Sequence, residues 1–514
     1  MSQERSRTNC LRVRSRLHLL GGFVGHEAGP DQTVRHQVGQ PLGIDHPTDD
    51  RRFSIRRNTL AIFRLADELL ARMCKLTVEL GIEPSTNIRR RPFPRRRRCM
   101  WMWGFTSQER QMVAPRQCAI LVGGIGSRLG TLTSETPKPL LDCGGRPFLA
   151  WILRELSRFG ISEVILLAGY KSKKVETFLQ EAHRWLPKSL SIRMFVEPFR
   201  AGTGGALWHA RDLFDESFLL INGDSWFDTN LARLFTGLTN NSPVIGRVLL
   251  RSMNDCSRYG SVEYFEGMIG AFGEKTGLRN PGLINAGIYL FSRKVIDFVQ
   301  PDCSLEKDVL PALASSGMLS GVPLDGYFID IGVPEDYARA RMELPSRLNR
   351  PAVFFDRDGV INEDTGWVGS IDRFQWTDGA MEALRFVNDM GFHVFVVTNQ
   401  AGVARGLYSE PDVVTFHAFI ADELRKFGGT IDDVGFCPDH PDAVVSRYRH
   451  TSSFRKPGPG MILDLIARWN VNVERSVLIG DRVTAIRIAE AAGIRGYLYE
   501  GGNLFKFVES LAIL

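Results

Sequence analysis

Two carboxylates separated by one residue, Asp356 and Asp358, follow the apolar run Ala352-Val353-Phe354-Phe355. Two acids at i and i+2 just past a buried strand can share one Mg²⁺ yet take different jobs. Asp356 suits a nucleophile that attacks phosphorus. Asp358 suits an acid that protonates the leaving oxygen and later activates water. A calcium loop can open the same way, so the pair alone does not settle the chemistry. Three later features narrow it. Val396-Val397-Thr398-Asn399 ends in a hydroxyl and an amide suited to a phosphoryl group. Arg455-Lys456-Pro457 supplies cations. Val477-Leu478-Ile479-Gly480-Asp481 ends in a further metal-ligand candidate.

A second constellation lies upstream. Cys118 to Val122 is apolar, and Gly123, Gly124, Gly126 and Gly130 follow it. Such a loop lets backbone N–H groups reach phosphate oxygens. Arg128 stands inside it and Lys138 stands between two prolines. One fixed Arg and one fixed Lys suit attack on a nucleotide α-phosphate, with the Arg on the departing pyrophosphate and the Lys on the attacking sugar phosphate. Asp224 in Leu220-Ile221-Asn222-Gly223-Asp224 and Asp330 in Phe328-Ile329-Asp330 are candidate Mg²⁺ ligands. Either alone reads more often as a strand-end cap.

These residues need strands to carry them. Residues 164–169, 194–197, 218–223, 244–250 and 284–291 read as strands, and 147–160 as a helix closed by Gly160. The alternation predicts α/β architecture with a mostly parallel sheet and ligands at the carboxyl ends of its strands. Pro345 to Arg350 reads as a short polar connector, and a second strand-rich region begins at Ala352. The expected organisation is a basic extension over 1–115, a Rossmann-like domain over 116–345 and a second doubly wound domain over 346–514.

At 514 residues the chain exceeds one ordinary domain. Its net charge of +6 is unevenly spread. Residues 1–115 hold roughly 21 Lys/Arg against 11 Asp/Glu, so the remainder is mildly acidic. The extension is expected to be disordered, or translated from a start placed upstream of Met112. One helix is plausible from Asn58 to Leu80. No apolar run is long enough for a membrane span, and the eight Cys are scattered without a CxxC pair. These features predict a cytoplasmic protein with reduced thiols and neither nucleic acid nor membrane as partner. Association with copies of itself stays open.

The string GGIGSRLG with PKPLLDCGGRPFLAWIL resembles the signature of the sugar-phosphate nucleotidylyltransferases. NGDSWFD, SLEKDVLP and FIDIGVPEDY are similar to the heptose 1-phosphate guanylyltransferases among them. The resemblance covers nearly all of 116–345. It implies Mg²⁺, an NTP (GTP favoured) and heptose 1-phosphate. It places Glu197 and Gly204 near the nucleobase and sugar, and Asn285, Glu306 and Lys307 near the sugar phosphate. Turn and helix-cap chemistry explains the latter residues equally well.

The four later elements resemble, in order, the haloacid-dehalogenase-type phosphatases. DRDGVINEDTGWV, VTNQAGVARG and RKPGPGM are similar to the heptose 1,7-bisphosphate 7-phosphatases, with histidinol-phosphate phosphatases as near relatives. That resemblance covers about 351–500. It implies Mg²⁺ on Asp356, Asp358 and Asp481, and a substrate held by Asn362, Thr398, Asn399, Arg405, Arg455 and Lys456. Two departures stand out. Many members carry zinc on a Cys-x-His and Cys-x-Cys loop, but here Cys437 and His440 remain while Ser452, Ser453 and Phe454 precede Arg455. Four N/S ligands cannot be assembled, so no structural zinc is expected. Ala485 stands where the family has a further Asp. The joint expectation is a bifunctional enzyme that dephosphorylates heptose 1,7-bisphosphate and couples the product to a nucleotide, with fusion raising the local concentration of the intermediate. A hexose 1-phosphate transferase, a histidinol-phosphatase-like partner and a decayed scaffold are the alternatives.

Overall fold

The first strand forms because Gln117–Leu121 is apolar on both sides. Cys118 and Ile120 pack on one face of the sheet with the helix Phe148–Arg158, and Ala119 packs on the other. Continuous apolar runs of this kind belong to sheets covered on both faces. The computed structural model describes residues 114–184, 186, 190–237, 242–273 and 279–511. The basic clusters, the helix read over 58–80 and the start at Met112 lie outside the described residues.

The strands of the first half are β1 (Gln117–Leu121), β2 (Glu163–Ala168), β3 (Ser191–Val196), β4 (Ser217–Asn222), β5 (Ser225–Asp228), β6 (Gly246–Met253), β7 (Val262–Phe265), β8 (Met268–Phe272), β9 (Gly282–Ser292), β10 (Leu319–Leu324) and β11 (Tyr327–Asp330). Nine of them form one sheet in the order β3-β2-β1-β4-β9-β6-β10-β8-β7. The run β3-β2-β1-β4 is parallel, as in a Rossmann-like unit. Beyond it the expectation of a mostly parallel sheet fails. β9 is antiparallel to both β4 and β6, and β8 is antiparallel to β10 and β7. The β7–β8 connection explains part of this. Glu266 and Gly267 have φ of 47° and 88°, and two successive positive φ values make the tight turn of a hairpin. A separate ribbon pairs β5 with β11 and sets Asp330 opposite Ser225.

The second half has β12 (Ala352–Asp356), β13 (His393–Asn399), β14 (Asp433–Cys437), β15 (Val477–Gly480) and β16 (Arg495–Leu498), all parallel in the order β14-β13-β12-β15-β16. Val353 and Phe355 face one core, Ala352 and Phe354 the other.

The connector differs from its expected form. The helix Pro334–Arg347 runs through Pro345, and Arg350 is buried rather than solvated. Its guanidinium meets Glu155 at 3.1 Å and Asp228 at 2.5 Å. Arg158, on the last turn of Phe148–Arg158, pairs with Glu155 and with Asp432, and donates to the Phe392 carbonyl at 3.3 Å. Asp432 also accepts from the Val394 N–H at 2.8 Å and lies 3.0 Å from His393 Nδ1. Burial alone would raise the Asp432 carboxyl, but Arg158 and His393 overcome it and hold it well below the usual range. Asn230 donates to Asp389 at 2.8 Å and to the Gly428 carbonyl at 2.9 Å, and Arg233 pairs with Asp389 at 2.8 Å. The two halves therefore share one polar seam, and the described residues lie within a single compact unit.

Candidate active sites

In the first half, β1 ends at the glycine loop. A Cβ on Gly123 would stand 2.6 Å from Glu197 Oε1 and 3.1 Å from the Gly169 nitrogen, so glycine lets the loop lie against that carboxylate without displacing it. Gly126 has φ 70°, while Gly124 meets nothing within 4 Å. Glu197 follows β3 and borders a cleft of about 250 Å³ with Ile125, Tyr170, Phe199 and Arg200. Burial raises its carboxyl, and the Ala201 N–H at 3.4 Å pulls it part of the way back.

Lys138 is buried between the two predicted acids, 2.5 Å from Asp224 Oδ2 and 3.5 Å from Asp330 Oδ1. Asp330 is raised by burial and by the Asp224 charge, against which Lys138 acts. A Cβ on Gly332 would come 2.8 Å from Asp330 Oδ1, 3.1 Å from Lys138 Nζ and 3.4 Å from Arg128 Nη2. The four residues predicted from sequence thus converge on one point. The sugar-phosphate candidates form another group. Asn285 donates to Tyr289 at 2.9 Å, and Thr203 donates to Glu306 at 2.6 Å. Burial and then the Glu306 charge push the Tyr289 hydroxyl far up. Gly204 lies so close to Cys303 that a Cβ would stand 2.5 Å from its sulfur. The backbone N–H of Lys307 donates to Ser304 Oγ at 3.2 Å.

In the second half, Asp356 ends β12 and its Oδ2 lies 2.5 Å from Lys456 Nζ. Asn399 fixes that lysine: its Oδ1 accepts from the Lys456 N–H at 3.0 Å and its Nδ2 donates to the Lys456 carbonyl at 3.3 Å. Asn399 and Lys456, expected on the substrate, hold each other and the nucleophile candidate. Asp481 faces Asp356; burial and then the Asp356 charge raise its carboxyl. Gly359, with φ 82°, makes room for it, since a Cβ there would stand 2.6 Å from Asp481 Oδ2.

Asp358 does not join Asp356 and Asp481 as the sequence reading expected. Arg357 Nη2 donates to both its oxygens at 2.9 Å, and Asn362 donates at 3.1 Å. A buried guanidinium needs a carboxylate, and Asp358 is the one within reach. Among the described residues no three His, Cys, Asp or Glu side chains gather as a ready metal cluster. The all-oxygen donor sets, with Asp481 and Asp330 each raised by a like-charged neighbour, fit a hard divalent cation.

Arg357, 1% exposed, was missed from sequence, although a cation between two acids was its signal. Gln400 completes its shell: in the orientation that satisfies both ends, it accepts from Arg357 at 3.0 Å and from Thr398 at 2.9 Å, and donates to Tyr408. Arg405 stacks on Trp367 at 5.0 Å and lies near Arg455, whose guanidinium is depressed by burial and also by Arg405. Arg455 donates to the Asp439 carbonyl at 2.9 Å. In the loop after β14, expected to lack the ligands for zinc, Cys437 Sγ lies 3.8 Å from Asp439, and His440 Nδ1 accepts the Asp442 N–H at 3.0 Å. Ala485 is buried against Gly480, where a Cβ would stand 2.3 Å from its own.

The nucleotidyl transferase family profile matches residues 118–347, and the HAD-hydrolase-like profile matches 453–505. These matches, with the relatives that follow, make this chain a nucleotidyltransferase joined to a phosphoric monoester hydrolase. A Rhodopseudomonas palustris D-glycero-beta-D-manno-heptose-1,7-bisphosphate 7-phosphatase is 48% identical over 168 residues, 33% of this chain and 93% of that protein. A Burkholderia mallei D-glycero-alpha-D-manno-heptose-1,7-bisphosphate 7-phosphatase is 41% identical over 147 residues, 29% of this chain and 78% of that protein. An Aneurinibacillus thermoaerophilus D-glycero-alpha-D-manno-heptose 1-phosphate guanylyltransferase is 35% identical over 231 residues, 44% of this chain and 98% of that protein. The chain belongs to the nucleotidyl transferases in its first half and to the haloacid-dehalogenase-type phosphatases in its second. No described helix is long and apolar enough to cross a membrane.

Proposed function

We propose that the chain makes a nucleotide-activated heptose in two steps. Residues 346–514 remove the 7-phosphate of D-glycero-D-manno-heptose 1,7-bisphosphate, and residues 116–345 transfer GMP from GTP to the heptose 1-phosphate. One observation carries this reading: two unrelated folds in one chain each match a heptose-phosphate enzyme over most of that enzyme's length. The 7-phosphatase relatives are of both anomeric types. The phosphatase reacts far from the anomeric carbon, whereas the transferase acts on the phosphate attached to it. The transferase half therefore sets the anomer, and its relative favours α.

In the phosphatase, Asp356 attacks phosphorus while Lys456, already on that carboxylate, offsets charge on the phosphoryl oxygens. Asp358, held by the Arg357 fork, hands a proton to the leaving oxygen and then takes one from water. Arg405 and Arg455 would meet the substrate, while Asn362 and Thr398 are buried behind, bonded to Asp358 and Gln400. In the transferase, the glycine loop cradles the phosphates, Arg128 holds the leaving pyrophosphate and Lys138 orients the sugar phosphate. Asp224 with Asp330, and Asp356 with Asp481, would hold Mg²⁺, which supplies charge neutralisation at the reacting phosphates when bound. Glu197 faces the base; its two oxygens can accept the N1–H and amino group of guanine together. The loop after Cys437 keeps its shape by hydrogen bonds, without zinc.

The test is a coupled assay on the full chain with Mg²⁺, either anomer of the bisphosphate, and GTP, ATP, CTP or UTP in turn. GDP-heptose from the α-anomer and GTP is the expected product, in a preparation free of stoichiometric zinc. Asp356→Asn should abolish phosphate release and leave transfer from supplied heptose 1-phosphate intact. Ala485 favours a second reading, a decayed phosphatase that only scaffolds the transferase. Transfer without phosphate release from any heptose bisphosphate would establish that reading and sink the first.

A further inference from the structure

Both halves turn the same end of their sheets to the seam. On the transferase side, Pro115 and Arg116 immediately precede β1, and Arg158 precedes β2; they meet Arg425, Asp422 and Asp432. On the phosphatase side, Phe392 and His393 open β13, while Thr430 and Asp432 precede β14. Arg158 takes the Phe392 carbonyl, and Thr430 Oγ1 donates to the Arg158 carbonyl at 2.7 Å. The reacting groups lie at the opposite ends of these strands: Gly123 past β1, Asp224 past β4, Asp356 and Thr398 on the last turns of β12 and β13, and Asp481 past β15.

Strand lengths give the separation. β5 runs from Ser225, beside Asp224, back to Asp228, which Arg350 holds at the seam. Four residue steps put Asp224 about 13 Å from the seam, and the five steps from His393 to Thr398 put the phosphatase site about 17 Å beyond it on the other side. The seam is closed between them: Arg158, His393, Thr430 and Asp432 are all buried. Two crevices line it. One, of about 390 Å³, includes Asp228, Arg350, Phe392 and Arg475; the other, of about 370 Å³, includes Arg154, Asp433 and Trp469. Neither contains a residue assigned above to catalysis or substrate.

Resting on the function proposed above, we infer that the heptose 1-phosphate made by the phosphatase is released to bulk solvent and reaches the transferase only by diffusion, because the two active sites open away from each other across a closed seam. Tethering raises effective concentration only when geometry lets both sites be engaged together. Here it does not, so the local enrichment expected from fusion is absent. What fusion retains is equal dose of two activities.

Isotope dilution with the full wild-type chain tests this. Carbon-13-labelled heptose 1,7-bisphosphate is supplied with GTP, Mg²⁺ and unlabelled heptose 1-phosphate in about tenfold excess; the isotope content of nucleotide-sugar and of free heptose 1-phosphate is then followed from the first turnovers. The nucleotide-sugar formed at each moment should carry the label of the free pool at that moment, starting near zero and ending about tenfold diluted, so the accumulated product never exceeds the pool. Nucleotide-sugar richer in label than the pool would overturn the inference. As a second readout, an equimolar mixture of Asp356→Asn and Asp224→Asn chains should show the same lag before nucleotide-sugar appears as the wild type at equal active-site concentration. A shorter wild-type lag would overturn it too. If no phosphate is released from the bisphosphate, the functional reading fails and the inference falls with it, an outcome distinct from retained label.

Discussion

Glu197 puts a carboxylate on the wall of the cleft beyond β3. It is half-buried against Gly123, where a Cβ would push its carboxylate aside, and burial raises its carboxyl. A ligand offering two adjacent N–H groups would hold it ionised, which is the face guanine presents. Glu197→Gln replaces one acceptor by a donor and should cost GTP about 10- to 100-fold in kcat/KM, with ATP or UTP changed much less. Steady-state kinetics with the four nucleotides checks this; an equal loss for all four would show that Glu197 does not read the base. His417 poses a different residue-scale question. Burial, with Arg357 close by, lowers it to about 3. The unfolded chain takes up the proton from about pH 6.5 downward while the folded chain does not. Stability from this group is therefore full above about 6.5 and is lost toward pH 3, by up to about 1.4 kcal/mol per unit. His417→Leu should lower the urea midpoint at pH 7, because Arg357 loses an acceptor 3.4 Å away. The same variant should also flatten the fall of that midpoint between pH 7 and 4. A slope equal to wild type would remove His417 from the account.

At the scale of elements, the helix Phe148–Arg158 does two jobs. Its apolar stripe covers β1, and its last turn inserts Arg158 into the seam. Arg158→Ala would leave Asp432 buried with only His393 and the Val394 N–H beside it, and breaking a buried pair from one side costs about 3–5 kcal/mol. Thermal inactivation should then shift to lower temperature for both activities together; an unchanged midpoint would mean the seam contributes little. The helix itself was legible, with its span and its stop at Gly160. Its function at the seam was not. Glu155 and Arg158 look like a solvated face, because charged residues are almost never buried unless paired, and their partners lie far along the chain. The β7–β8 hairpin was missed for a local reason: Glu266 is an uncommon residue at positive φ, so the turn carried no Asn-Gly or Asp-Gly signal.

At the scale of the whole molecule, the sequence pointed to two candidate sites because strand-end acids and a glycine loop are short, contiguous signals. Arg128, Lys138, Asp224 and Asp330 meet as their types required. The gathering of Asp358 with Asp356 and Asp481 was not met, because the residue between the two acids, Arg357, claims Asp358 for itself. Pairings of that kind depend on which side chains the fold buries, and spacing alone does not report them. The direction in which the halves face was likewise unreadable, since it depends on contacts such as Arg158 with Asp432. That direction has a consequence for how such a chain changes over generations. The glycine loop, Glu197 and the candidate acids Asp224, Asp356 and Asp481 stand at the carboxyl ends of strands, and the join uses the amino ends. On the function proposed above, changes that retune one specificity fall at the end of a sheet remote from the join, so a lineage can exchange the base or sugar handled by one half with little disturbance of the other.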